Sequence, residues 1–130
     1  MRTLLLPLGA WSAAMGVALG AFGAHGLRST LSPDLLSVYE TAVRYQMYHS
    51  FGMMIAGLLL RTTIPGRPYQ ALRAGWLFAL GIVLFSGSLY ALALSGIQWL
   101  GFITPFGGLA WIAGWILLGL SLLLPAQPDR

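Results

Sequence analysis

The side chains best suited to chemistry are concentrated in one stretch of the chain. Glu40, Arg44 and His49 supply an acid, a guanidinium and an imidazole within about three helical turns, with Tyr45 and Tyr48 between them. At about 100° per residue they share one half of a helix. An ionisable group inside a bilayer costs roughly 2.5–3.5 kcal/mol or more unless it is paired, so it is a candidate for function by default. The pattern is equally compatible with a structural polar network.

Two pairs within this stretch have the spacing of neighbours on a helix. Glu40 precedes Arg44 by four residues, in the favourable order, and Tyr45 precedes His49 by the same interval. We expect Glu40 and Arg44 to pair with each other or with neighbouring helices. We expect His49 to point into the bundle, toward serines of the third helix or glycines of the first. The opposite half of the helix is predicted to face lipid; it carries Leu36, Val43, Met47 and Met54.

Three further polar residues complete the candidate cluster. Ser86 and Ser88 lie in the middle of a later apolar stretch, where they either bond a neighbouring helix or line a narrow polar path. His25 lies between small residues at the end of the first apolar stretch and could cap that terminus. No base stands at a recognisable spacing from either serine, and two histidines are a weak signal for a metal or a haem. We therefore predict no catalytic residue, no metal site and no cofactor.

The composition identifies the environment in which these groups lie. Of the 130 residues, 58% are hydrophobic and only 8% are charged, whereas soluble domains carry roughly 25% charged residues. The absence of cysteine excludes disulfides and thiol chemistry. The net charge of +4 comes from scattered arginines without a basic stripe, which argues against a nucleic-acid partner. The composition therefore predicts an integral membrane protein that is surrounded by the lipid bilayer.

Four apolar stretches are long enough to span a membrane, which takes roughly 20 residues. They cover about residues 4–24, 40–60, 74–95 and 102–124. The predicted fold is all-α: a single integral-membrane domain over residues 1–130, built as an antiparallel up-down four-helix bundle. Ser32-Pro33-Asp34 combines an N-cap, a first-turn proline and an acid, so the second helix is predicted to begin at Pro33.

Arginine positions predict the orientation of these spans. Arg61, Arg67 and Arg73 lie in the connection between the second and third spans, and Arg2 and Arg130 lie at the termini. Positively charged residues favour the cytoplasmic side. Both termini are therefore predicted to face the cytoplasm.

Small residues repeat at spacings of three and four along two of the predicted helices. The first helix carries Gly9, Ala13, Gly16, Gly20 and Gly23, and the fourth carries Gly107, Ala110 and Gly114. Small side chains let neighbouring backbones approach closely in a membrane. Gly16 and Gly20 could form a GxxxG dimer face, but packing within the chain is favoured because four short helices must be brought together.

Four strings, one from each predicted helix, together resemble a known family. They are GAFGAHGL at 20–27, TAVRYQMYH at 41–49, FSGSLY at 85–90 and TPFGG at 104–108. The resemblance is to the family catalogued as domain of unknown function 423, which includes bacterial inner-membrane proteins and the eukaryotic transmembrane protein 256. It covers nearly the whole chain and implies a small four-span protein of the bacterial inner membrane. It implies no activity, substrate or cofactor.

Three kinds of function remain open at this stage. The favoured one is a non-catalytic membrane protein, either a homo-oligomer or an accessory subunit of a larger membrane complex. The second is a channel or transporter for protons or a small solute that uses the polar half of the second helix. The third is a membrane enzyme acting on lipid or quinone, for which only His49 or His25 could serve as a base.

Overall fold

A computed structural model describes residues 4–62 and 68–123, and this part of the chain is helical apart from short connections. The α-helices are α1 (Leu5–Phe22), α2 (Pro33–Leu59), α3 (Pro68–Gly81), α4 (Gly87–Ser95) and α5 (Thr104–Leu123). π-helical turns at Gly23–Leu27 and Ile82–Ser86 extend α1 and join α3 to α4, and a 3-10 turn at Gln98–Phe102 precedes α5. Because α3 and α4 form one continuous helix, the described residues contain four long helices.

Three of these helices are long and apolar enough to cross a membrane. They are Leu5–Leu27, Pro68–Ser95 and Gln98–Leu123. The remaining helix, α2, has 27 residues and is long enough, but its polar side chains lower its mean hydropathy. The predicted second span, residues 40–60, lies on this helix.

The start of α2 follows the predicted capping pattern. Ser32 has an extended backbone and its hydroxyl accepts a hydrogen bond from the backbone N–H of Leu35, while Pro33 occupies the first turn. A capping hydroxyl satisfies one of the donors that a helix start leaves free. The prediction that the second helix begins at Pro33 and runs without a break is confirmed.

The apolar side of α2 packs against α1. A methyl group added at Gly9 would lie 2.6 Å from Cγ of Met54, and one added at Gly16 would lie 2.7 Å from Sδ of Met47. Val43 lies against Gly20 in the same way. Residues later in α1 contact residues earlier in α2, so the two helices run in opposite directions.

The prediction that this side of α2 faces lipid is therefore wrong. The prediction that Leu36, Val43, Met47 and Met54 face lipid depends on their apolar character. In lipid, however, apolar character does not distinguish a buried face from an exposed one, because lipid tails are as apolar as these side chains. Each of the four is partly buried in the structure.

The small residues singled out on α1 lie along its contact with α2. Gly9, Gly16 and Gly23 are buried, and Ala13 and Gly20 are partly buried. The two backbones approach closely at Gly57 of α2, where an added methyl group would lie 2.6 Å from the backbone nitrogen of Leu6.

The continuous helix of α3 and α4 packs against α5 with similar closeness. A methyl group at Gly107 would lie 2.5 Å from the backbone nitrogen of Phe85, and one at Gly114 would lie 2.9 Å from the ring of Phe78. Ala110 of the same α5 series is buried. A buried apolar cluster holds these helices to α1 and α2; it consists of Leu5, Met53, Ala56, Ala74, Phe78, Trp111 and Leu118.

Candidate functional site

The buried polar centre of the bundle is Gln46, whose side chain is 3% exposed. Its amide nitrogen donates a hydrogen bond of 2.9 Å to the carbonyl of Ser12 on α1. Its amide oxygen accepts one of 2.7 Å from the hydroxyl of Tyr90 on α4. One amide on α2 therefore connects α2 to two other helices, and both ends of the amide are satisfied.

Two further hydrogen bonds extend this network. The Ser50 hydroxyl lies 2.7 Å from the Ser12 hydroxyl, and the Tyr39 hydroxyl donates to the Leu19 carbonyl at 2.9 Å. The rings of Tyr39 and Tyr90 lie 5.1 Å apart. Among the described residues, every buried side-chain nitrogen or oxygen has a hydrogen-bond partner. Each buried polar atom of the network therefore has at least one partner within the protein.

His49 is buried beside this network, with 6% of its surface exposed. Its ring stacks on Trp111 of α5 with 3.6 Å between centroids and 1° between planes. Its Nδ1 lies 2.7 Å from the backbone carbonyl of Tyr45, a contact in which Nδ1 carries the proton and donates. His49 points into the bundle, but toward Trp111 and not toward Ser86, Ser88 or the α1 glycines as predicted.

The serines of the π-helical region connect helices. The Ser86 hydroxyl donates to the Ala42 carbonyl of α2 at 2.8 Å. The Ser88 hydroxyl lies 2.9 Å from the Phe85 carbonyl and 2.7 Å from the Thr104 hydroxyl at the start of α5. Both serines are buried, and both hydroxyls take part in contacts that hold the helices in register.

Glu40, Arg44 and Tyr48 lie on the outside of the bundle and are exposed. Within the described residues, Glu40 and Arg44 form no ion pair with each other or with another group. The predicted pairing is therefore wrong. These residues lie on the side of α2 opposite to Gln46, because the buried side of the helix is set by the contacts with α1 and α4.

Tyr45 lies at the border between the two sides of α2. It is 37% exposed, and its ring stacks near Trp111 at 5.8 Å and contacts Phe85 at 5.0 Å between centroids. His25 is exposed in the π-helical turn that ends α1. Within residues 4–62 and 68–123, no group of three or more His, Asp or Glu side chains is placed to hold a metal ion.

The eight predicted site residues therefore do not form one cluster. Sequence reasoning also missed the residues at the polar centre, which are Ser12, Tyr39, Gln46, Ser50 and Tyr90. A signal was present, since a glutamine in an apolar stretch needs hydrogen-bond partners. Gln46 was overlooked because it lies on the half of α2 that had been assigned to lipid.

Comparison with known proteins identifies the family. Residues 19–108 match the profile of the family described as Protein of unknown function (DUF423). The chain belongs to this family. It is 52% identical over 118 residues to a UPF0382 membrane protein of Staphylococcus haemolyticus, a match that covers 91% of this chain and 93% of the relative. It is 47% identical over 111 residues to the UPF0382 membrane protein YwdK of Bacillus subtilis, with 85% and 89% covered. No solved structure matches the chain.

The family assignment agrees with the resemblance inferred from the four strings. Both relatives are bacterial and both are named as membrane proteins. Together with the three apolar helices, this identifies the chain as a helical multi-pass membrane protein.

Proposed function

We propose that this protein is a non-catalytic, four-span component of the bacterial inner membrane that acts through its outer surface, as a homo-oligomer or as an accessory subunit of a larger complex. The observation that carries the proposal is the satisfied polar centre around Gln46. Its groups bond one another and hold three helices together, so they are occupied in packing. A path for ions or a reaction site would require polar groups that are free to bind a solute.

In this proposal α2 is the second span, and its polar side chains are accommodated in two ways. Gln46 and Ser50 are satisfied by α1 and α4, as the contacts above describe. Glu40 and Arg44 lie in the first half of α2, near the level where a bilayer changes from hydrocarbon to headgroups. Side chains at that level reach polar surroundings by extending toward the interface.

The proposed orientation places both termini in the cytoplasm. Its support is the arginine distribution, in which Arg61 and Arg73 flank the connection after α2. Arg67, Arg2 and Arg130 support the same orientation from the sequence and lie outside the described residues. Reporter fusions after Arg130 and within residues 27–31 test it. We expect a cytoplasmic signal from the first and a periplasmic signal from the second, and the reverse result would overturn the topology.

Two measurements test the non-catalytic role. The mass of the complex extracted from its native membrane in mild detergent should exceed that of one 14.0 kDa chain, either as a multiple or with another subunit. Proton or solute flux in proteoliposomes should match that of empty liposomes. Flux above that background, lost on substitution of His49 or Gln46, would replace this proposal by a channel or transporter.

A further inference from the structure

We propose that a groove between α1 and α2 binds the headgroup of an aminophospholipid, with its phosphate on Arg44 and its ammonium on Glu40. The groove is open to the surroundings, encloses about 270 Å³ and is lined by Gly20, Tyr39, Glu40, Val43 and Arg44. This assignment rests on the proposed placement of α2 in the membrane.

Gly20 creates the space beneath the charged residues. A methyl group added there would lie 3.3 Å from Cγ1 of Val43, so a larger side chain at this position would fill the groove. Gly20 and Val43 are the small and apolar parts of the lining, and Glu40 and Arg44 supply its two charges. A surface that combines apolar and charged groups suits a phospholipid, which carries acyl chains and a charged headgroup.

The two charges are available for a ligand and suitably spaced. Glu40 and Arg44 are exposed, and in the described part of the chain neither has an ionic partner. Residues four apart on a helix have Cβ atoms about 5–6 Å from each other. An ethanolamine linker holds a phosphate and an ammonium a comparable distance apart. Each end would then form a charge-assisted hydrogen bond, which is roughly twice as strong as a neutral one.

The depth of the groove matches the headgroup layer. Glu40 lies seven residues after Pro33, about 10 Å along the helix, and Arg44 lies about 6 Å further. A span that ends at Leu59 places Glu40 at the edge of the hydrocarbon. Arg44 lies just below it, and its long side chain can extend upward. Both charged ends are therefore within reach of a headgroup.

A second copy of the chain fits this surface less well. Two copies inserted in the same orientation are related by an axis along the membrane normal, which brings identical residues to the same depth. If these residues lie close to the axis, Glu40 approaches Glu40 and Arg44 approaches Arg44, and a Glu40–Arg44 pair between copies has to bridge the roughly 6 Å in depth that separates the two residues. A zwitterionic headgroup satisfies both charges without placing like charges opposite each other.

The test measures lipid binding to the purified, delipidated protein in detergent by native mass spectrometry. Dioleoyl phosphatidylethanolamine is compared with dioleoyl phosphatidylcholine, whose quaternary ammonium cannot donate a hydrogen bond. We expect roughly tenfold tighter binding of the ethanolamine lipid, the value of one charge-assisted hydrogen bond. Equal binding of the two lipids would overturn the proposal.

Two variants and a control test which residue contacts the phosphate and which contacts the ammonium. Arg44→Gln should weaken binding of both lipids roughly tenfold, because both contain the phosphate. Glu40→Gln should remove the preference between them, because only the ammonium contacts Glu40. Arg28→Gln is the matched control: Arg28 is exposed and follows the end of α1 but does not line the groove. Equal losses in the Arg28 and Arg44 variants would mean that only general charge attraction is involved.

Two further results would identify a different occupant. Displacement of the lipid by millimolar inorganic phosphate would show an anion site and not a lipid site. A dimer that forms without added lipid and dissociates in Arg44→Gln would show that a second copy covers the groove. Because the assay is carried out in detergent, it does not depend on the orientation tested by the fusions or on the flux measurement. A failure here is therefore separate from a failure of the proposed function.

Discussion

Both sides of α2 carry polar groups, but the surroundings of these groups differ. On the inner side, Gln46 and Ser50 are bonded to α1 and α4 at distances of 2.7–2.9 Å. On the outer side, Glu40 and Arg44 are exposed and, within the described residues, have no ionic partner. The neutral polar groups hold the bundle together, whereas the charged groups are directed out of it.

Desolvation explains this division. A neutral amide or hydroxyl can be buried at little cost once each of its hydrogen bonds is formed. A buried ion pair must also recover several kcal/mol of desolvation for each ion, and it often fails to do so. Polar groups on the inner side should therefore matter for stability, and those on the outer side should matter for what binds there.

The largest effect is expected at Gly57, on the inner side of α2, where the backbones of α1 and α2 approach closely. Gly57→Ala should destabilise the fold by about 1–3 kcal/mol, because its methyl group would lie 2.6 Å from the backbone nitrogen of Leu6, which cannot move independently of α1. Gly119→Ala is the control, since nothing lies within 4 Å of a methyl group there. Unfolding in mixed detergent micelles measures both variants. Equal stability of the two would show that α1 does not approach α2 as described.

The next largest effect concerns the polar centre. Gln46→Leu should cost about 1–3 kcal/mol, because the partly buried Tyr90 hydroxyl loses its acceptor and the Ser12 carbonyl loses its bond to α2. A double-mutant cycle with Tyr90→Phe should give a coupling between about 0.6 kcal/mol, the average for such pairs in a membrane protein, and the maximum of about 1.7 kcal/mol. Strict additivity would mean that the Gln46–Tyr90 hydrogen bond is absent.

A smaller effect is expected when His49 is replaced by another planar ring, because the shape of the ring matters more than its nitrogens. His49→Phe should keep the stacking on Trp111 and cost about 1 kcal/mol or less, whereas His49→Ala loses the stacked ring and leaves a cavity. Thermal denaturation in detergent distinguishes the two. A phenylalanine variant as unstable as the alanine variant would assign the main role to the Nδ1 hydrogen bond with Tyr45.

The smallest effect is expected on the outer side. Glu40→Gln and Arg44→Met should each change the stability of the delipidated protein by no more than about 0.5 kcal/mol. The double variant should equal their sum, because no ion pair joins them in the described structure. If either single change destabilises more than the double change, the two charges are paired. The charged groups on the outer side would then contribute to stability, as the neutral groups on the inner side do.

Much of the secondary structure could be predicted from local signals. The Ser32–Pro33 cap marks the start of α2, and helical propensity with capping chemistry operates over only a few residues. The glycines of α1 were recognised because small residues at spacings of three and four form a stripe on a helix. These signals depend on the sequence immediately around them.

The side of α2 that faces inward could not be predicted in the same way. In water the polar half of a helix faces outward and in lipid the expectation is reversed, so the hydrophobic pattern of α2 alone does not decide which side faces inward. Which side of α2 faces inward depends on which neighbouring helix supplies a hydrogen-bond or ionic partner for its polar side chains. Gln46 is buried because Ser12 and Tyr90 meet it, and Arg44 is exposed because neither α1 nor α4 offers it an acid. Such contacts join residues more than thirty positions apart, which no local pattern encodes.

The π-helical turn at Ile82–Ser86 has a consequence for how the length of this chain can vary. In such a turn the hydrogen bonds span five residues instead of four, so it accommodates one residue more than an α-helical turn. Five residues in this turn cover about the same rotation as four residues in an α-helix, so the extra residue is absorbed within the turn. Removing one residue there would give a regular α-helix and leave Tyr90 facing Gln46. Removing one residue between Gly87 and Leu89, where the helix is α-helical, would instead rotate Tyr90 by about 100° and carry it away from Gln46. The chain can therefore lose one residue in the π-helical turn without changing the register that brings Tyr90 to Gln46.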